Sequence, residues 1–235
     1  MKKYLFTLST FLQVLLLASS GYAQQVAQKA AQKVAQQAPF HDEISAFLKQ
    51  DSVQPPPQHA ILFTGSSSFH YWKELAKSFP GYMVINRGFG GSSLPDLIRY
   101  ANKIIFPYHP RQIVIYCGDN DLASSDTVSA KTVYGRFRTL YKLIRSRSRT
   151  VNILFVSIKP SPSRKNLMPK MEQANKMIRR FLAKEKNAGF VDVYHPMLTP
   201  AGTPIEDLFV GDKLHMNEKG YAIWQKAILP YLMKD

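Results

Sequence analysis

Short apolar runs rich in β-branched and aromatic residues alternate along this chain with longer stretches in which apolar residues recur every three or four positions. The short runs predict strands, and the longer stretches predict helices. The predicted strands cover residues 60–64, 82–86, 112–116, 151–157 and 190–193. The predicted helices cover residues 69–79, 94–105, 128–148, 167–186 and 218–233.

Strands that alternate with helices favour right-handed β-α-β crossovers, which make the strands parallel and cover both faces of the sheet. The predicted fold class is therefore α/β, a three-layer α/β/α sandwich around a five-stranded parallel sheet. In such sheets ligands bind beyond the carboxyl ends of the strands, near the point where the strand order reverses. We therefore expect the functional residues in the loops that follow the strands.

Small and polar residues fill these loops. GSSS follows the first predicted strand at 65–68, NRGFGGSS spans the end of the second at 86–93, and GDND follows the third at 118–121. A fourth segment, GDKLHMNEKGY, lies near the C-terminus at 211–221. These four segments carry the candidate chemistry of the chain.

Asp212 and His215 stand three residues apart in the last of these segments. In a turn this spacing lets the carboxylate reach Nδ1 of the imidazole, which leaves Nε2 free to act as a general base. The alternative is an aspartate that caps the last helix beside a partly exposed histidine.

A base of this kind needs a nucleophile, and a serine where a strand turns into a helix is suited to that role. Acyl transfer also needs hydrogen-bond donors for the developing oxyanion. The glycines of 88–91 can present backbone N–H groups, and Asn120 can present its side-chain amide. The alternative for both groups is a structural role in tight turns.

In this order the four segments resemble the conserved blocks of the SGNH hydrolase superfamily, also called the GDSL esterases and lipases. The resemblance covers residues 59–235, and within the superfamily this part of the chain is most similar to the acetylhydrolase-like branch. It implies that Ser67 is the nucleophile, Asp212 and His215 are the acid and the base, and the oxyanion hole consists of Gly91, Asn120 and the backbone N–H of Ser67. Within the triplet, Ser66 is then expected to shape the turn and Ser68 to start the helix.

Two positions depart from the pattern of that superfamily. Ser66 replaces the usual aspartate before the nucleophile, and Asp119 stands at a variable position of the third block. Three other functions are not supported by the residues. The loop after the second strand lacks the third glycine of a dinucleotide-binding fingerprint. The chain also has no H-E-x-x-H motif of a zinc hydrolase and no G-x-S-x-G motif of a classical α/β-hydrolase. No metal and no organic cofactor are implied.

The N-terminus has the pattern of a secretory signal. Lys2 and Lys3 precede an apolar stretch, and small residues lead to a predicted cleavage site after Ala23. An uncleaved anchor is the alternative, but no segment reaches the roughly 18 apolar residues that a membrane span needs. Residues 24–58 are then a helical, Ala/Gln/Lys-rich extension with a short helix over 40–50 and a proline linker, and the hydrolase domain covers 59–235.

The chain has a formal net charge of +15 and one cysteine, Cys117. A basic chain favours polyanionic surroundings, but export argues against nucleic acid as the partner. One cysteine cannot form an internal disulfide, and we expect Cys117 to be a buried apolar residue.

Several other residues receive structural interpretations. His41, His59, His109 and His195 are read as having no carboxylate at the spacing of a triad. His70 and Trp72 are expected to pack or to line a pocket, and Lys159, Asn175 and the loop after the fourth strand to be structural rather than to line the substrate groove.

The sequence therefore predicts an exported serine esterase, periplasmic or secreted, that acts on a small-molecule or glycan ester with short acyl groups. Two alternatives stay open: a non-catalytic glycan-binding or envelope-associated protein with the same fold, and a lipase, lysophospholipase or thioesterase that acts on longer acyl chains.

Overall fold

The computed structural model describes Gln24, Gln25, Gln28 and residues 38–234. The chain divides into two units, Met1–Asp42 and Glu43–Asp235. In the first unit, the three described glutamines are helical. The predicted signal peptide, residues 1–23, lies outside the described residues.

The second unit is built on five parallel strands in the order β2-β1-β3-β4-β5. This order reverses between β1 and β3, and the fold class predicted from the sequence is confirmed. Every residue of β1 and β3 is buried, as expected for central strands that are covered on both faces. The strands are β1 Ile61–Gly65, β2 Val84–Gly88, β3 Gln112–Tyr116, β4 Asn152–Val156 and β5 Ala188–Val191.

Helices cover both faces of this sheet. Alternate strand residues such as Phe63 and Tyr116 pack with an aromatic cluster that includes Phe69 and Trp224, while Phe155 points to the other face and contacts Phe137. The helices are α1 His41–Val53, α2 Ser67–His70, α3 Leu75–Ser78, α4 Leu94–Ile104, α5 Asp119–Ala123, α6 Ala130–Arg147, α7 Met168–Leu182 and α8 Glu218–Ile228. Short 3₁₀ segments cover Phe106–Tyr108, Pro162–Leu167, His195–Met197, Glu206–Leu208 and Leu229–Tyr231.

The predicted helix over 69–79 is wrong in detail, because the structure has two short helices, α2 and α3, with a turn between them. Trp72 lies in this turn, stacks on Tyr221 at a centroid distance of 4.9 Å and donates from its indole N–H to Ser78 Oγ. Tertiary packing of this side chain thus overrides the helical periodicity. The last helix also ends early, at Ile228, where Pro230 lacks the N–H that a longer helix needs.

Helix α1 corresponds to the short helix predicted over 40–50, and it packs on the sheet. Asp51 pairs with Arg87 of β2 and accepts a hydrogen bond of 2.6 Å from the Tyr108 hydroxyl. Because Arg87 is almost fully buried, this pairing ties the helix to the strand before the Gly90–Gly91 loop. The boundary at residue 59 stays a prediction.

Candidate active site

The turn after β1 places Ser67 at the carboxyl edge of the sheet, next to the reversal of strand order. Gly65 has a φ of 144°, and a Cβ there would lie 1.8 Å from the carbonyl oxygen of Tyr116, so this position requires glycine. Ser66 donates its backbone N–H to the same carbonyl. Helix α2 begins at Ser67, not at Ser68 as predicted, and the helix entrance therefore holds the nucleophile candidate itself.

Three side chains from distant parts of the sequence form a continuous hydrogen-bonded series. His215 Nε2 lies 3.0 Å from Ser67 Oγ, and His215 Nδ1 lies 2.6 Å from Asp212 Oδ2. The hydrogen on Nδ1 donates to the carboxylate, which leaves Nε2 as the acceptor for the serine hydroxyl. The geometry is that of a nucleophile, a base and a residue that orients the base.

The carboxylate of Asp212 is held in its charged form. Its burial opposes ionisation, but the backbone N–H groups of His215 and Leu214 and the imidazole itself donate to it, and together they lower the pKa of Asp212 to about 2. The negative charge therefore persists across the physiological range, where it can stabilise a protonated His215.

A compact loop presents this pair. The Val210 N–H donates to the carbonyl of His215, and the Lys213 N–H donates to the carbonyl of Val210. The alternative in which Asp212 caps the last helix is wrong, because Asn217 is the N-cap of α8 and accepts from the N–H groups of Lys219 and Gly220.

Asn120 lies beside the loop that follows β2. Its Nδ2 donates to the carbonyl of Ser92 over 3.0 Å, and the Ser92 hydroxyl donates to the carbonyl of Gly65 over 3.0 Å. Gly91, the residue before Ser92, has a φ of 75°, a conformation that favours glycine. The segments that carry the three predicted oxyanion donors are therefore tied together at the carboxyl edge.

Two of these predicted donors are backbone groups. In residues 38–234, no acceptor is hydrogen-bonded to the backbone N–H of Ser67 or of Gly91. Such N–H groups, together with the second hydrogen of Asn120 Nδ2, can donate to an oxyanion.

Asp121, the last residue of GDND, fastens α5 to its neighbours. Its carboxylate is fully buried and accepts from the Leu94 N–H over 2.9 Å and from Arg136 Nη1 over 2.8 Å. Burial raises the pKa of Asp121 despite these donors. In the GDND motif, Asn120 therefore faces the site, and Asp121 holds the motif in place.

The loop after β4 reaches the site, although a structural role was favoured for it. Arg164 donates from Nη2 to Asn120 Oδ1 over 2.9 Å, and its Nη1 lies 3.1 Å from Asp119 Oδ2. Lys159 lies 3.8 Å from the same carboxylate, and its burial lowers the pKa of Lys159 to about 8. Sequence reasoning missed Arg164 as a residue of the site. The only signal was the position of its loop after a strand.

His195 was read as lacking a carboxylate, and this is wrong. Asp192 lies three residues earlier, and its Oδ2 is 2.6 Å from His195 Nδ1. Cys117, by contrast, is fully buried as predicted. His70 packs against the ring of Tyr71, with Nδ1 3.3 Å from the carbonyl oxygen of Gly88.

An open groove of about 450 Å³ lies next to the His215 loop, and neither His215 nor Ser67 is among its lining residues. Tyr71, whose ring meets the imidazole edge-to-face at 4.7 Å, is one of its walls. Its other lining residues are mainly polar or aromatic: Trp72, Lys73, Glu74, Ser78, Met216, Asn217, Glu218, Tyr221, Ala222 and Gln225. A larger cavity of about 630 Å³ is lined by His59, Arg111 and Thr150 at the amino ends of the strands, away from Ser67, and is not part of this site.

Within the described part of the chain, no group of three or more His, Cys, Asp and Glu side chains is arranged to hold a metal ion. None of the helices described there combines the length and the apolarity that crossing a membrane requires.

Comparisons with known proteins agree with this fold. Solved structures with a similar fold include a protein from Streptococcus pneumonia described in connection with platelet activating factor, with 18% identity, coverage of 91% of this chain and 99% of that one, and a TM-score of 0.71. A GDSL-like lipase from Bacteroides thetaiotaomicron has 20% identity, coverage of 80% and 96%, and a TM-score of 0.65. A catalytic mutant of an acetylxylan esterase from Geobacillus stearothermophilus has 15% identity, coverage of 76% and 96%, and a TM-score of 0.57.

At such identities these structures show the fold. A search of curated proteins found no match. The model of the GDSL-like Lipase/Acylhydrolase family, however, matches residues 51–223, which is well over half of the chain. The chain therefore belongs to the GDSL-like lipase/acylhydrolase family, a family of enzymes that hydrolyse ester bonds.

Proposed function

We propose that this chain is an exported serine esterase that removes short acyl groups, acetyl above all, from a carbohydrate or a similar small polar molecule. The observation that carries the proposal is the unbroken series from Ser67 Oγ through His215 to Asp212, with separations of 3.0 and 2.6 Å. A serine hydroxyl is a weak nucleophile until a base accepts its proton, and this arrangement supplies the base and its orientation.

The reaction follows from the placement of these groups. Ser67 Oγ attacks the ester carbonyl while His215 Nε2 takes the hydroxyl proton. The backbone N–H groups of Ser67 and Gly91 and the amide of Asn120 donate to the oxyanion of the tetrahedral intermediate. His215 then gives its proton to the leaving alcohol, and an acyl group stays on Ser67. A water molecule, deprotonated by the same imidazole, attacks this acyl-enzyme, and the acid leaves as the serine regains its proton.

The groove next to the His215 loop supports a polar substrate. Charged and amide side chains such as Lys73, Glu218 and Gln225 line it together with aromatic rings, and Tyr71 is about half exposed. A hydroxylated alcohol, such as a sugar, matches this mixture of hydrogen-bonding groups and ring faces better than an alkyl chain does. The groove therefore favours acetylated saccharides as substrates.

Hydrolysis of p-nitrophenyl acetate by the purified domain tests the mechanism, with Ser67→Ala as the matched control. We expect the variant to lose all but background turnover, because no other hydroxyl lies within hydrogen-bonding distance of His215 Nε2 in the described residues. Equal rates in the two proteins would refute the serine esterase and favour the non-catalytic alternative.

The acyl group is tested with p-nitrophenyl esters of increasing chain length and with acetylated saccharides. Acetylated xylan belongs in this panel because one structure with the same fold comes from an acetylxylan esterase. We expect kcat/KM to be highest for acetyl esters and to fall with chain length. A maximum at long chains would support the lipase or thioesterase alternative.

Export is proposed from the first 23 residues, with a basic start, an apolar stretch and small residues before Gln24. Expression of the full chain in a bacterial host, followed by N-terminal sequencing of the periplasmic fraction, tests it. A mature protein that begins at Gln24 is expected, and an intact N-terminus in the cytoplasmic fraction would contradict export.

A further inference from the structure

The side-chain amide of Asn120 is held at both ends. Its Oδ1 accepts from Arg164 Nη2 over 2.9 Å, and its Nδ2 donates to the carbonyl of Ser92 over 3.0 Å. A guanidinium has only donors and a carbonyl oxygen only accepts, so a flipped amide would face a donor with its NH₂ group and an acceptor with its oxygen. The two contacts therefore select one orientation, in which one hydrogen of Nδ2 remains for another acceptor.

Arg164 is itself fixed by a buried carboxylate. Nη1 forms an ion pair with Asp119 Oδ2 at 3.1 Å without the angles of a hydrogen bond, while Asp119 Oδ1 accepts the backbone N–H of Asn120 over 2.9 Å. Asp119 and the nearby Lys159 are almost fully buried, and charge-assisted contacts gain strength where water is excluded. The guanidinium thus spans two consecutive residues of the GDND motif with two of its nitrogens.

The loop that carries Arg164 is also attached to the catalytic turn. Ser163 donates its backbone N–H to the carbonyl of Lys213, which lies between Asp212 and His215. Arg164 departs from helical geometry, with a φ of −118° and a ψ of 28° inside the 3₁₀ segment Pro162–Leu167. This segment therefore contacts both the loop that carries His215 and the side-chain amide of Asn120.

We propose that Arg164 is a positioning residue that aims and polarises the Asn120 amide as an oxyanion donor. A cation at Oδ1 draws electron density from the amide, so its N–H groups donate more strongly to a negative oxygen that develops in the transition state. Asp119 has a role in the same assembly, because it holds the cation in place. The proposal rests on the serine esterase mechanism proposed above.

A double-mutant cycle with p-nitrophenyl acetate tests this role. Asn120→Ala is expected to lower kcat by about 10²–10³, the usual effect of removing an oxyanion donor. Arg164→Met is expected to lower kcat about 10-fold to 100-fold with KM within about two-fold, because the donor is misaimed and not removed. In the double variant, kcat is expected to equal that of Asn120→Ala alone.

Two further variants separate positioning from folding. Arg164→Lys keeps a cationic donor and is expected to recover much of the loss. Arg136→Met removes an arginine–aspartate pair from the next residue of the same motif without touching the Asn120 amide. Because loss of one partner of a buried pair destabilises the fold, this variant is expected to have a lower melting temperature, but below that temperature to keep kcat within about three-fold of the parent. If Arg164→Met does not fold, Arg164→Lys and Arg164→Gln carry the comparison.

An equal loss from Arg164→Met in the presence and absence of Asn120 would overturn the proposal, and so would an effect confined to KM. A readout independent of turnover distinguishes this from failure of the esterase mechanism. In NMR spectra of ¹⁵N-labelled protein, the side-chain amide pair that disappears in Asn120→Ala is expected to shift in Arg164→Met and to stay in Arg136→Met. An unchanged Asn120 amide pair in Arg164→Met would refute the positioning role, whether or not the protein hydrolyses esters.

Discussion

Two Asp-x-x-His turns lie at the carboxyl edge of the sheet, and their internal geometry matches. In the first, Asp212 accepts the N–H groups of Leu214 and His215 at 2.8 and 2.9 Å, and the carboxylate is 2.6 Å from Nδ1. In the second, Asp192 accepts the N–H groups of the residues two and three positions later at 3.0 and 3.2 Å, and its distance to Nδ1 is also 2.6 Å. Each imidazole even meets a tyrosine ring edge-to-face.

The surroundings of the two turns differ. His215 reaches Ser67, and 23% of its side chain is exposed, whereas 65% of the His195 side chain is exposed and its Nε2 has no hydrogen-bond partner among the described residues. Asp192 directly follows β5, an outer strand that lies three strand spacings from β1, or roughly 14 Å. The segment from 198 to 217 carries the Asp212–His215 turn back to Ser67. The turn alone is enough to orient an imidazole, but the imidazole can act in catalysis only if the chain also places it beside the nucleophile.

The largest difference between the turns is expected from removal of each imidazole. His215→Ala should reduce kcat on p-nitrophenyl acetate by about 10⁵ or more, to background, because loss of the base alone disables a triad. His195→Ala removes the same group from a matched turn and should leave kcat within about two-fold. Comparable losses in both variants, or full activity in His215→Ala, would contradict the assignment of the base.

A smaller difference is expected from the carboxylates. Asp212→Asn keeps the shape of the side chain but favours the wrong tautomer of His215, and it should lower kcat by about 10²–10⁴ while retaining measurable turnover. Asp192→Asn makes the same change in the second turn and should alter thermal stability without altering kcat. Steady-state kinetics and thermal unfolding of the two variants, measured together, check both outcomes.

Most of the fold follows from features that are local in sequence. Five apolar runs predicted the five strands of the parallel sheet, because central parallel strands are apolar along their whole length. The break at Trp72 was not predictable, since it depends on the stacking of Trp72 on Tyr221, which the last helix supplies. The attachment of α1 to β2 through Asp51 and Arg87 joins residues 36 positions apart, and no periodicity reports such a pair.

The site was predictable where its residues form short motifs. Four blocks pointed to Ser67, Asn120 and the Asp212–His215 pair, and the structure brings these segments together. The contact between Arg164 and Asn120 spans 44 positions and depends on an irregular backbone, so it could not be inferred. The spacing rule also selects Asp192 and His195 equally well. In the sequence, the place of Asp212 and His215 in the fourth block distinguishes the two pairs, and in the structure their distance from Ser67 does.

The two tyrosines offer a finer contrast. Tyr71 is an exposed wall of the groove and its centroid lies 4.7 Å from that of His215, so Tyr71→Ala should lower kcat/KM about two-fold to ten-fold, as expected for loss of one aromatic pair. Tyr71→Phe should keep the parent value, because the ring and not the hydroxyl makes the contact. Tyr194→Ala should leave kcat/KM unchanged and lower the melting temperature, since Tyr194 is buried. If Tyr194→Ala lowered kcat/KM as much as Tyr71→Ala does, the Asp192–His195 turn would have to affect catalysis at Ser67.

The smallest expected effect concerns the charge of Asp212 and its dependence on pH. The pKa of this carboxyl is lowered to about 2 in the folded protein, against about 3.9 in an unfolded chain. The carboxylate therefore stabilises the fold above about pH 4, and this contribution is lost as the pH falls towards 2. Because 48% of the side chain is exposed, solvent screens the effect, and we expect a difference of no more than a few degrees in melting temperature between the parent and Asp212→Asn. Thermal unfolding between pH 2 and pH 6 should show this gap at the upper end and its closure at the lower end. A gap of equal size at both ends would mean that asparagine disturbs the packing of the turn, and that the ionised carboxylate adds nothing to its stability.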